Sequence, residues 1–164
     1  MSKNVIFKSP ENDAAGLLAE FFETFPQYNS DDSKKKITDA WNFLLKKSDG
    51  LLRSCGKPYY LHPMRIAFIL AQDEFDSDCI AAGILHSTPT LGATHEELEQ
   101  NFGKDVATII DGISRITNVQ IKSKTLQQAD AIRKMLFAMV DDVRVIFVKI
   151  ADRLDRIRNI KNVE

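Results

Sequence analysis

The sequence has little of what marks a secreted or membrane protein. Its 164 residues include two cysteines, Cys55 and Cys79, which lack a CxxC spacing and so favour reduced thiols over a disulfide framework. No apolar run reaches the ~18 residues of a membrane span. The first residues, MSKNVIFKSPEND, contain no continuous apolar segment of a signal peptide. These absences predict a soluble, cytoplasmic protein with no membrane partner.

An excess of charge of one sign is also missing. The chain has 22 Lys and Arg against 23 Asp and Glu, which gives a net charge of −1. A protein without a global basic field has no electrostatic reason to bind nucleic acid, so no DNA partner is expected. With 44% hydrophobic and 27% charged residues, the composition is that of one globular domain able to bury a core.

Apolar residues recur at helical spacing through most of the chain. Asn12 or Asp13 is a candidate cap for a first helix, and a second helix of roughly fifteen residues should begin near Asp31. The run from Val143 to Val148 has the composition of a buried strand, but its periodicity continues through Ile157 and no partner strand is evident. A helix is therefore expected there, and the fold class predicted is all-α with seven or eight helices.

The chain is organised around the stretch IAAGILHSTPTL, residues 80–91, where a buried helix should end at His86. A second histidine, His62, lies at the predicted N-terminal edge of the helix that Pro63 begins, and Asp152 lies in a later helical pattern, VKIADRL. From the residues alone, a hydrogen-bonded core histidine and a metal ligand both remain possible interpretations of His86.

Four blocks, GKPYYLHP, AAGILH, FGKDVATIIDGISRI and IRKMLFAMVDDVRVIFVKIADRL, follow one another in this order. Over roughly residues 31 to 160 the chain thereby resembles the N-terminal hydrolase domain of the RelA/SpoT family, which makes and degrades (p)ppGpp. The resemblance implies an all-helical HD-type phosphohydrolase fold that removes the 3′-pyrophosphate with a manganese ion. The residues themselves predict a loose polar leader and an extra helix over residues 1–30. The resemblance implies an HD-type domain over residues 31–164, with the synthetase domain absent from this chain.

The resemblance also assigns roles to individual residues. In the family, one histidine of an HP block, the histidine and aspartate of an HD pair, and the aspartate of an ADR block hold the ion. His62, His86 and Asp152 match three of these ligands, but Ser87 stands at the HD aspartate. An uncharged hydroxyl in place of an anionic ligand weakens the affinity of a hard divalent cation. These ligands are therefore expected to be vestigial, and no cofactor is expected unless the site still binds manganese.

Other family positions have also lost their chemistry. The carboxylate pair that follows HD in active hydrolases falls on Thr90 and Leu91, neither of which titrates near neutral pH as a general base. The RKSG loop reads RSCG, with Arg53 kept and Ser54 in place of lysine. The LHN block that contacts the nucleotide in the family reads Leu154, Asp155 and Arg156 here. No catalytic residue is therefore expected in this domain.

Three hypotheses remain. The first is a catalytically inactive, structural and regulatory domain of a GTP pyrophosphokinase of the stringent response, whose partner is the C-terminal synthetase domain of the same protein. The second is a residual metal-dependent (p)ppGpp hydrolase that uses His62, His86 and Asp152. The third is a regulatory site that binds a guanine nucleotide without hydrolysing it, with Arg53 and Arg156 on the phosphates. The alternative for the arginines of the last helix, Arg153, Arg156 and Arg158, is that they pair with Asp152 and Asp155 at close helical spacing.

Overall fold

The computed structural model describes residues 3–117 and 124–160. Within them lie eight α-helices: α1 Ala14–Thr24, α2 Asp31–Lys47, α3 Leu61–Gln72, α4 Ser77–Leu85, α5 His95–Phe102, α6 Lys104–Thr117, α7 Lys124–Asp141 and α8 Arg144–Arg158. Two short 3-10 helices cover Pro26–Tyr28 and Thr88–Leu91. The same ranges contain no β-sheet, only an isolated bridge between Leu52 and Pro58. The all-α prediction is confirmed, and Val143 to Val148 belongs to a helical segment rather than a strand.

Helix α4 lies at the centre of the fold. It packs against α2, α3 and α6 and also contacts α8. Every residue from Cys79 to Leu85 is buried. A Cβ atom on Gly83 would lie 2.7 Å from Leu70 Cδ1, so the absence of a side chain lets α3 and α4 approach closely. This packing fixes the position of His86, which caps the C-terminal end of α4.

Polar side chains set the beginnings of several helices. Asp13 caps α1 by accepting a hydrogen bond from the Gly16 amide, and Asp76 caps α4 in the same way from the Cys79 amide. Thr94 accepts from the Glu97 amide at the start of α5. These caps satisfy amide groups that have no partner within a helix. The helix starts predicted near Asp13 and Asp31 agree with the structure.

The N-terminal leader is docked rather than detached. The Lys8 and Ser9 amides each donate a hydrogen bond to the Glu20 carboxylate at 2.8 Å. The Phe7 ring packs edge-on against the Phe68 ring, with the ring centroids 5.3 Å apart. Leu17 of α1 is fully buried in the common core. Residues 3–12 therefore contribute to the same packing as the helices that follow.

Helices α6 and α8 meet at Gly112. A Cβ atom at this position would lie 2.6 Å from Val145 Cγ2, inside van der Waals contact. The glycine that weakens α6 by propensity is thus what brings α8 against the core. The polar sequence QIKSKT, residues 120–125, predicts a break between two helices, and most of it lies outside the described residues. No helix in the described ranges combines the length and apolar character needed to cross a bilayer.

Candidate metal centre and its ion pairs

Three helices bring together the three residues that the sequence singled out. His62 comes from α3, His86 from the end of α4 and Asp152 from α8, and all three are buried. The start of the His62 helix, predicted at Pro63, lies two residues earlier in the structure. Helix α3 begins at Leu61 with Tyr60 as its cap, so His62 lies within the first turn and faces the core.

The three side chains form a compact group. The His62 and His86 ring centroids are 5.5 Å apart, and His62 Nε2 lies 2.9 Å from Asp152 Oδ1. His86 Nε2 lies 3.9 Å from the same oxygen. One potential ligand atom from each residue lies within 4.8 Å of the others, a spacing that allows one metal ion to touch all three. Their role as ligands remains a prediction.

Asp155 is the site residue that the sequence analysis missed. Its Oδ2 atom lies 2.5 Å from His62 Nδ1, and both side chains are about 97% buried. Its Oδ1 atom accepts from Arg65 Nε at 2.7 Å and from Asn159 Nδ2 at 2.9 Å. Helical periodicity offered a signal, since Asp155 follows Asp152 by three residues and so shares its inward face.

His62 therefore lies between two carboxylates. Nδ1 faces Asp155 and Nε2 faces Asp152. Because ionised carboxylates only accept hydrogen bonds, both contacts form only when both ring nitrogens donate, as they do in an imidazolium. Through these two contacts the ring joins α3 to α8.

Asp152 has two further cationic partners. Arg156 Nε donates to Oδ1 at 2.7 Å, and Lys149 Nζ donates to Oδ2 at 3.2 Å. Burial raises the pKa of Asp152, but hydrogen bonds from His62 and Arg156 hold that pKa well below its ordinary value. The carboxylate is ionised, and positive side chains already neutralise it.

His86 is held differently. Its Nδ1–H donates to the Gly83 carbonyl oxygen at 2.7 Å, which leaves a lone pair on Nε2. Burial, and then the charge of His62, lower the pKa of His86 to about 4, so the ring is neutral at pH 7. Among the residues that the structure describes, Nε2 has no hydrogen-bond partner, and neither does the buried Oγ atom of the adjacent Ser87.

The donor set fits a divalent cation only in part. Two imidazoles and one carboxylate are suitable ligands for such an ion. The buried His86 Nε2 atom accepts no hydrogen bond from the described residues, so its lone pair is available to bind a metal ion. Bound metal, however, requires a deprotonated His62 Nε2 atom and an accessible Asp152 Oδ1 atom. Both atoms are engaged here with each other, and Oδ1 also with Arg156. Loading an ion requires these contacts to break.

The remaining departures lie at the edge of the site. Thr90 is exposed, and its hydroxyl donates to the Ser87 carbonyl oxygen. Leu91 ends the same 3-10 helix and is half-buried, and Ser54 is exposed. None of the three supplies a carboxylate or an ammonium group. Burial raises the pKa of the Cys79 thiol to about 12, which keeps this thiol protonated at neutral pH.

Arg53 lies beside this group of charges. Its guanidinium is half-buried and forms no ion pair with any residue in the described ranges. Burial, followed by the nearby Arg156 and Arg65 guanidiniums, lowers the pKa of Arg53. Arg53 thus lies within electrostatic range of Arg156, the second predicted nucleotide contact, and of Arg65. Arg65 was not predicted as a nucleotide contact.

The sequence matches known proteins over most of its length. The model of a family described as an HD domain matches residues 40–164. Over 145 residues the chain is 37% identical to the bifunctional (p)ppGpp synthase/hydrolase SpoT of Escherichia coli K12, covering 88% of this chain and 21% of that protein. It is 38% identical over 145 residues to the GTP pyrophosphokinase of Myxococcus xanthus, covering 85% of this chain and 19% of that protein.

A third relative extends the comparison to another group of bacteria. The GTP pyrophosphokinase rsh of Brucella ovis is 33% identical over 142 residues, which cover 86% of this chain and 19% of that protein. The chain spans about a fifth of the length of these relatives. The family match and the all-helical fold lead to one conclusion: the chain belongs to the HD-domain family and is homologous to RelA/SpoT-type proteins of (p)ppGpp metabolism.

Proposed function

We propose that this chain is a catalytically inactive HD domain of a RelA/SpoT-type GTP pyrophosphokinase, in which ion pairs close the former metal centre. One observation carries the proposal: Arg156 Nε donates at 2.7 Å to the Asp152 oxygen that would bind the ion. Arg156 stands where the resemblance expects asparagine, so its charge departs from the family pattern. A guanidinium on that carboxylate supplies the positive charge that the ion would otherwise provide.

The loss of acidic groups supports the same conclusion. Ser87 replaces an anionic ligand, and Thr90 and Leu91 replace the carboxylates that would activate water. A metal-dependent hydrolase depends on its ion to lower the pKa of bound water. Without a firmly held ion and without a general base, neither group that would activate the attacking water is present.

The proposed role is that of a structural and regulatory module. Its relatives are named as a synthase/hydrolase and as pyrophosphokinases, and this chain aligns with about a fifth of each. A synthetase domain of the same protein is therefore the partner that we propose. The buried His62–Asp155 and His62–Asp152 contacts then serve to fix α3 against α8 in place of catalysis.

The test is calorimetric titration of manganese into chelator-treated protein, with pyrophosphate release from (p)ppGpp measured on the same sample. We expect neither stoichiometric binding nor turnover. The double variant Ser87→Asp with Arg156→Asn restores the missing ligand and frees Asp152, so it should bind one ion. The matched control, Ser87→Asp with Arg153→Asn, removes an exposed arginine of the same helix and should bind more weakly.

Two results would overturn the proposal. Stoichiometric binding and turnover by the unmodified chain, both abolished by His86→Ala, would establish the second hypothesis, a residual hydrolase. The unpaired His86 Nε2 atom is the observation that favours that alternative. If the two double variants bound manganese equally, Arg156 would not be the group that closes the centre.

A second candidate function is nucleotide binding without hydrolysis. The half-buried Arg53 guanidinium, unpaired within the described residues and close to Arg156, favours it, because arginine binds phosphates in bidentate fashion. Titration with ppGpp and with GDP tests this candidate. Arg53→Gln should weaken binding about tenfold, whereas Lys57→Gln, which removes a cation of the same loop paired with Glu11, should leave it unchanged. Equal effects of the two variants would indicate nonspecific charge attraction.

A further inference from the structure

The outer face of α8 carries an apolar series at a regular interval. Val143, Phe147, Ile150, Leu154 and Ile157 follow one another at steps of four, three, four and three residues. Four of them are exposed: Val143 by 50%, Phe147 by 40%, Ile150 by 55% and Ile157 by 67%, while Leu154 is half-buried. We call these five residues the outer stripe. Its mean interval of about 3.5 residues is that of a helix that packs along another helix.

The outer stripe is not part of the core of this domain. The buried residues of α8 are Val145, Val148, Ala151, Asp152 and Asp155. At about 100° per residue, these residues and the outer stripe lie on opposite sides of the helix. Phe147 touches Phe75, with ring centroids 4.7 Å apart, and Leu154 packs partly against the core, but Val143, Ile150 and Ile157 are exposed to solvent in the described part of the chain. A contiguous apolar surface of this kind marks an interaction site in a folded protein.

The exposed charges that α8 itself carries beside the outer stripe are of one sign. On one edge lie Lys149, Arg153 and Arg156, and on the other edge lies Arg158. The two acidic residues of α8, Asp152 and Asp155, are both buried on the opposite face. Arg156 contacts Asp152 and still leaves 49% of its side chain exposed. A partner would therefore meet an apolar stripe with basic edges.

We propose that the outer stripe docks one amphipathic helix from outside this 164-residue chain, with apolar residues at the same interval and Asp or Glu beside them. Apolar side chains would fill the spaces between the stripe residues, and the acidic groups would face the basic edges. A second copy of this chain fits poorly, because its own basic edges would meet those of the first. The proposal names the surface through which the regulatory role would act, and it rests on that role.

The test uses two synthetic peptides of about three heptads, both with leucine at the apolar positions. One carries glutamate and the other lysine at the flanking positions, and binding to the unmodified chain is followed by fluorescence anisotropy. We expect the acidic peptide to bind at least about tenfold more tightly than the basic one and to weaken as salt is added. Similar affinities for the two peptides would refute the inferred chemistry of the partner.

Variants locate the surface. Ile150→Gln should weaken the acidic peptide by about tenfold, and Arg153→Glu should reduce the preference for the acidic peptide. The matched control is Leu52→Gln, an exposed leucine in the loop before α3, which should change binding less than about twofold. Unfolding curves check that each variant is folded. Equal loss of binding in Ile150→Gln and Leu52→Gln would overturn the assignment to the outer stripe.

Light scattering gives a further decisive outcome. A dimer of the unmodified chain that Ile150→Gln dissociates would show that the stripe joins two copies, which contradicts the proposal. Neither measurement involves manganese or (p)ppGpp. A failure of peptide binding therefore leaves the closed metal centre standing, and turnover of (p)ppGpp would leave the docking surface standing.

Discussion

Replacement of Asp155 by alanine removes one carboxylate on which three side chains depend. His62 Nδ1, Arg65 Nε and Asn159 Nδ2 all lie within 2.9 Å of its oxygens. After the substitution, His62 loses one of its two acceptors and the nearly buried Arg65 loses its carboxylate. Neither side chain can be rehydrated fully, because the His62 ring is about 97% buried.

The expected magnitude follows from this burial. Removing one partner of a buried ion pair costs about 3–5 kcal/mol, since the other charge remains buried and unpaired. A domain has a free energy of unfolding of about 5–15 kcal/mol, so the loss is a large fraction of it. At about 2–4 °C per kcal/mol for a chain of this length, the Tm should fall by roughly 10 °C. Asp155→Asn keeps the shape and one acceptor and should lose less.

Urea unfolding followed by circular dichroism measures the effect. The matched control is Asp111→Ala, which breaks a second Asp–His pair, Asp111 with His95 at 2.7 Å, whose side chains are 44% and 43% exposed. An exposed pair of this kind contributes at most about 1 kcal/mol. If Asp155→Ala costs no more than Asp111→Ala, the buried contact with His62 does not stabilise the fold and the reasoning is wrong.

Three further predictions concern other parts of the molecule. The pKa of His86 is about 4 in the folded chain and about 6.5 in the unfolded chain, so between these pH values the unfolded chain binds a proton that the folded chain does not. The free energy of unfolding should therefore be highest above pH 6.5 and fall between pH 6.5 and pH 4, as measured by urea titrations. His86→Gln should flatten this pH profile. Gly112→Ala places a Cβ atom 2.6 Å from Val145 Cγ2 and should lower the free energy of unfolding by about 1–3 kcal/mol. In a double-mutant cycle, Val145→Ala should reduce this loss because it removes the clashing methyl groups, and purely additive losses would contradict the steric explanation. Glu20→Ala removes the acceptor of the Lys8 amide, so trypsin should cut after Lys8 faster than in the unmodified chain; an unchanged rate would show that Glu20 does not hold the leader.

Local sequence signals were sufficient for most of the secondary structure. The cap at Asp13 and the start of α2 at Asp31 each depend on a few neighbouring residues, and both predictions agree with the structure. The ambiguous run from Val143 resolved as helix because its periodicity continued beyond six residues. The predicted start of α3, beside His62, was less accurate, because helix ends depend on contacts outside the local sequence pattern.

Local sequence signals predicted only part of the site. His62, His86 and Asp152 were found because each lies in a recognisable block, and the structure places them together. Asp155 was missed because its sequence position reads as the loss of a family residue. Its role depends on a contact with His62, 93 residues away in the sequence.

The sequence by itself determined the helical architecture, the absence of a carboxylate at Ser87 and the identity of the residues around His86, because these are properties of composition and short-range spacing. Only the tertiary structure decided which charges meet. Packing of α8 against α3 and α6, where Gly112 leaves room for Val145, places both carboxylates of α8 on His62, whereas Arg156 pairs with Asp152 within α8 at a spacing of four residues. Helical periodicity specifies the face on which a side chain lies, but the partner across that face depends on how the helices pack.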